Sequence, residues 1–206
     1  MNSTIGFAPN LRQIFSLTLV AVTVGIAPLG TSQTPQGADE ANKSVMRKLY
    51  EQDQKDFDNS DRAKIRKHVQ RLMSEGKIQS GEDYYYAAFI FQHGLKPSDY
   101  LYAHVLAVTA VNKGLHNAMW LCGATLDRYL QSVQQAQIFG TQFGSLFSDR
   151  DDQEPYDREM LPDGIRSMWC VTSKSAQARI LADKRAGKGF SSSRTCPLPD
   201  AQFDKN

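Results

Sequence analysis

Cysteine is scarce in this chain, with three residues in 206. That count excludes a disulfide-built miniprotein and a four-cysteine zinc site. Charge of one sign is also missing: 24 basic against 22 acidic side chains leave a formal charge of +2. A dedicated nucleic-acid binder carries a strongly basic stripe or domain, so nucleic acid is not an expected partner. The standard catalytic signatures are absent as well. There is no phosphate-binding G-x-x-x-x-G-K loop, no H-E-x-x-H, no G-x-S-x-G and no dinucleotide glycine fingerprint. His68, His93, His104 and His116 include no pair at i, i+3 or i+4, so no helix-borne metal site and no cofactor is expected. What is present is a 41% hydrophobic chain, enough for one domain with its own core.

Long apolar runs are rare too, and the one that exists lies at the start. Residues 1–13 are polar with a single charge at Arg12, residues 14–27 are uncharged and apolar, and Pro28, Leu29, Gly30, Thr31 and Ser32 follow. This is the layout of a secretory signal peptide. The run would span about 21 Å as a helix, short of the ~30 Å hydrocarbon core. Cleavage after Ser32 is expected, with a retained N-terminal anchor as the alternative. The expected product is exported, periplasmic or extracellular, with no stable membrane span after leader cleavage. The chain then divides into a leader (1–32), a polar linker (33–38), a helical domain (39–186) and a flexible tail (187–206).

Within the domain, apolar spacing predicts helices over about 39–58, from Asn59-Ser60 to Gly76, from Ser80 or Gly81 to Gly94, from Pro97 to Gly114, over about 117–132, and from Ser173 to Arg185. Pro, Ser and Asp at the starts and Gly at the ends are the expected boundary chemistry. The second helix carries a basic face of Arg62, Lys64, Arg66, Lys67 and Arg71, read as a solvated surface. The middle three segments are apolar on more than one face, which marks central helices joined by short antiparallel connections. Small residues recur there, at Ala87, Ala88, Ala103, Ala107, Ala110 and Ala118, punctuated by Gly94 and Gly114. That pattern resembles tetratricopeptide and Sel1-like helix hairpins over roughly one unit. The expected fold is an all-α antiparallel bundle of five to six helices with an irregular C-terminal wrap. Cys122 falls mid-helix and reads as a small buried hydrophobe. Cys170 and Cys196 flank the last helix and are the natural bridge in an oxidising compartment, with two free thiols as the alternative.

Polar residues sit inside the most apolar stretches, where an unpaired charge is costly. In order they are Gln92-His93, Asp127-Arg128 and Gly140-Thr141-Gln142, and Asp53-Gln54 precedes them in a polar stretch. This order of D-Q, Q-H, D-R and G-T-Q resembles a bacterial family of exported helical proteins of unknown function, over about residues 49–143. The resemblance implies a shared polar site but no reaction. The family pattern has Arg where this chain has Phe57 and Tyr where it has Phe139. Three readings of the cluster stand. Asp127 and Arg128 tie helices together, with His93 a helix-end hydrogen-bonder. Or Asp53, Gln54, Gln92, His93, Asp127, Arg128, Thr141 and Gln142 contribute to a binding site for a protein or small-molecule ligand. Or the chain is an enzyme, a hydrolase for example, with His93 as general acid–base, Asp127 orienting it and Arg128 holding an anionic or carbonyl group.

Overall fold

The computed structural model describes residues 36–55, 59–144, 146 and 151–188, with side chains from Val45 onward. The expected leader, the first part of the linker, Phe57, Cys196 and nearly all of the expected tail lie outside these residues. Among the described residues the fold is all-α, with seven helices. They are α1 (Gln36–Lys55), α2 (Asn59–Ser74), α3 (Gly81–Gln92), α4 (Pro97–Asn112), α5 (Met119–Ser132), α6 (Asp163–Met168) and α7 (Lys174–Arg185). A single 3-10 turn, His116–Ala118, leads into α5. No helix among the described residues is long and apolar enough to cross a membrane.

Local chemistry accounts for the boundaries. Ser80 caps α3: its hydroxyl accepts the Asp83 N–H at 3.1 Å, and Asp83 Oδ2 accepts the Ser80 N–H at 3.1 Å. Pro97 opens α4, and Asp99 Oδ2 accepts the Lys96 and Leu95 N–H groups at 3.2 Å each. Two expectations need correction. Helix α1 begins at Gln36, inside the stretch expected to be linker. One helix beyond the six expected, α6, lies in a segment expected to be irregular because Pro162 and Gly164 bracket its start. Proline is tolerated before the first turn of a helix, where its missing N–H has no intrahelical partner to lose.

The core is built on α3, α4 and α5, with α4 between its two neighbours and α1 and α2 packed on α3. Ala87, Ala88, Ala103, Ala107 and Ala110 are all fully buried, so the small-residue stripe does let these helices approach closely. Ile90, Phe91 and Leu121 fill the space between. The tyrosine run packs as aromatic core: Tyr50 stacks near Tyr86 and Phe89 at 5.1 and 5.4 Å, and Tyr85 meets Phe89 edge-on at 4.9 Å. Beyond α5 the chain turns irregular, and α6 and α7 close over it.

Candidate functional site

Among the described residues the loop after α5 has almost no ladder of its own, only one parallel bridge between Gln137 and Tyr156. Its backbone groups must therefore find side chains. Asp127, fully buried near the end of α5, takes most of them. Its Oδ1 accepts the N–H groups of Ile138 (2.8 Å) and Phe139 (3.0 Å), and its Oδ2 accepts the Thr141 N–H (2.9 Å) and hydroxyl (2.8 Å). Burial pushes this carboxyl above its ordinary range, and these four donors pull against that shift.

The other loop groups are held by glutamines and an arginine. Gln137 pairs with the Gln142 backbone in both directions, at 3.0 and 3.1 Å. Gln153 donates to the Gly140 carbonyl at 2.6 Å. The Phe139 carbonyl receives Arg166 Nη1 at 2.5 Å and Gln177 Nε2 at 2.7 Å. At the apex Gly140 adopts φ +72°, where a Cβ would meet the Gln177 amide and stand 2.5 Å from Tyr156 Cζ.

Arg128, one residue on from Asp127, presents its guanidinium to a different set of partners. Nε and Nη2 donate to Gln142 Oε1 at 3.1 and 3.0 Å, and Nη1 donates to the Gln92 carbonyl at 3.2 Å. The Gln142 amide in turn donates to the Ala124 carbonyl and to Thr141 Oγ1. Burial draws the Arg128 guanidinium below the usual arginine range, and no carboxylate pairs with it among the described residues. Beside it opens a cavity of about 490 Å³, lined by Gln92, Arg128, Thr141 and Gln142 together with Trp120 and Ile180. Lys184 also lines it and is engaged by Asp151 Oδ1 at 2.6 Å and the Phe143 carbonyl at 2.7 Å.

The remaining predicted residues form a separate pair. His93 Nδ1 lies 2.5 Å from Oδ2 of the fully buried Asp53. Arg62 Nε stands 3.9 Å from Asp53 Oδ1, and Arg66 Nη1 donates to the His93 carbonyl at 3.3 Å. The last carbonyls of α3 thus face two guanidiniums, Arg128 at Gln92 and Arg66 at His93, where the helix end carries partial negative charge.

The expectation that Asp127 orients His93 therefore does not hold. Asp53 faces the histidine, while both oxygens of Asp127 are committed to the loop. The basic face of α2 is likewise not wholly solvated, because Arg62 and Arg66 turn inward. Of the eight predicted site residues, Gln92, Arg128, Thr141 and Gln142 line the cavity. Asp127 holds the loop that shapes it, whereas Asp53 and His93 pair away from it. Gln54 is exposed on α1, with its amide 3.4 Å from Asp53 Oδ2. Phe139 is 3% exposed, packs against Trp169 with centroids 4.7 Å apart, and does not line the cavity.

Sequence reasoning missed Gln137, Gln153, Arg166, Gln177 and Lys184. No periodic or capping signal marks them, and several of their partners lie far along the chain: 38 residues separate Gln177 from Phe139. Cys122 is a buried free thiol, and burial pushes its pKa up to about 12. Cys170 lines the cavity and is not a free thiol. No family model, no curated protein and no solved structure matches the chain.

Proposed function

We propose that this chain is an exported helical binding protein that holds a small ligand in the cavity beside α5. The observation that carries the reading is the convergence of Gln92, Arg128, Thr141 and Gln142, from three separate segments, on one cavity of about 490 Å³. That volume lies within the usual range for small-molecule sites, roughly 300–1,000 Å³. The order of the four polar motifs supports membership of the helical family the chain resembles.

A neutral fluorescent probe, N-phenylnaphthylamine, should bind with a saturable one-to-one enhancement. Ile180→Trp, which fills the cavity, should weaken it about tenfold, since each ~1.4 kcal/mol is one decade. Non-saturable fluorescence, or equal binding by the filled variant, would sink the binding reading. A second reading, an enzyme of hydrolase type, draws support from the 2.5 Å Asp53–His93 contact, with Asp53 in the orienting place first given to Asp127. Hydrolysis of p-nitrophenyl acetate that disappears in His93→Ala would favour it over simple binding.

Export and the bridge between Cys170 and Cys196 belong to the same proposal and share one measurement. The intact mass of protein from a periplasmic extract should correspond to loss of residues 1–32 of the 206. Cys122 is 1% exposed and burial pushes its thiol up to about 12, so little reactive thiolate is present at pH 8. Iodoacetamide should therefore leave the native protein unlabelled and add one group after unfolding. After unfolding and reduction it should label all three cysteines. Three labels without reductant would remove the bridge.

A further inference from the structure

We infer that the cavity takes a small monocarboxylate with an apolar body, its carboxylate seated between Arg128 and Gln92; this rests on the binding reading above. A guanidinium carries five N–H donors. In Arg128 three are bonded, two to Gln142 Oε1 and one to the Gln92 carbonyl. Two more, one on Nη1 and one on Nη2, have no partner among the described residues. The neighbouring residue Gln92 is 8% exposed and lines the cavity. Its amide also has no hydrogen-bond partner among the described residues. At a cavity wall, an amide that bonds no group among the described residues is open to a ligand.

The chemistry of these donors selects the ligand. A planar guanidinium with free N–H groups matches a carboxylate, and the Gln92 amide N–H supplies a further donor to the same group. Gln142 does not compete for it. Its own amide is saturated by Arg128, Ala124 and Thr141, so it is a positioning residue that fixes the guanidinium. One negative charge is what the site can balance. The only other cation lining the cavity among the described residues, Lys184, is already paired with Asp151 at 2.6 Å. Trp120, Val171 and Ile180 offer an apolar surface for the rest of the ligand.

Displacement of N-phenylnaphthylamine from the full protein tests this directly. The competitors are phenylbutyrate, phenylbutyramide and phenylbutylamine, which share a body and differ in charge. Phenylbutyrate should displace the dye at a concentration at least about tenfold lower than the amide, and the amine should be weakest. Gln92→Leu removes an amide that bonds no group among the described residues. It should cut the acid's advantage over the amide, read against the variant's own dye affinity, to about threefold or less. Arg128→Lys should do the same in any preparation that retains the native helical circular dichroism. Equal displacement by acid and amide would overturn the carboxylate assignment and leave the binding reading standing. Failure of the dye to bind at all would overturn both.

Discussion

Asp127→Ala should unfold at a much lower urea concentration than the parent protein, with a loss of about 4 kcal/mol or more. The carboxylate receives three backbone N–H groups and one hydroxyl. Each buried donor left unpaired costs about 1–3 kcal/mol. Removing the carboxylate also relieves the desolvation that raises its pKa, which is why the sum is taken near the lower end. Asp127→Asn separates geometry from charge. The amide keeps one accepting oxygen but turns an NH2 toward groups that also donate, so about 2–3 kcal/mol is expected. The loop over residues 137–142 carries Gln142, which holds Arg128 in place. N-phenylnaphthylamine binding should therefore fall in both variants, even below the denaturant concentration that unfolds them. A loss under about 1 kcal/mol for Asp127→Ala would mean that the loop is held by other groups.

Gly140→Ala should rival it, at about 3 kcal/mol or more. The residue sits at φ +72°, a region that costs an L-residue with a Cβ roughly 1–2 kcal/mol. The new methyl would also press on the Gln177 amide and on Tyr156 Cζ, 2.5 Å away. Neither neighbour is free to swing aside. Tyr156 donates to Gln177 Oε1 at 2.9 Å, and Gln177 donates to the Phe139 carbonyl at 2.7 Å. Gly114→Ala provides the internal control: its φ is +93°, yet nothing lies within 4 Å of the added carbon. It should show the backbone cost alone, about 1–2 kcal/mol. If the two variants unfold at the same urea concentration, crowding at Gly140 contributes nothing.

Much of the helical frame was legible because helix signals are local. Caps act over three residues, as between Ser80 and Asp83, and the apolar period repeats every three to four. Apolar residues on more than one face marked α3, α4 and α5 as central, and the alanine stripe marked hairpin packing, its alanines being fully buried. The six-residue α6 was missed because it is too short for periodicity to register. The site was legible as residue types and illegible as partnerships. Asp53 and Asp127 are alike in residue type, each the first of a polar dipeptide in a helix, though α1 is polar around Asp53 and α5 is apolar around Asp127. Only the packing of α1 on α3 brings Asp53 to His93, 40 residues away.

By itself, then, the amino-acid order determined most of the helices and many of their ends, the alanine stripe and most of the polar residues that need partners. The tertiary structure alone decided which carboxylate meets the histidine, which arginines turn inward and where a cavity opens beside Arg128. The reason is one of range. Periodicity and capping operate within a few residues, whereas a buried polar group is satisfied by whatever the packed helices bring to it. Each such group must find a donor or acceptor somewhere in the fold. At Gln92 and Arg128 that requirement is left incomplete by the described residues, and there the structure points to a ligand.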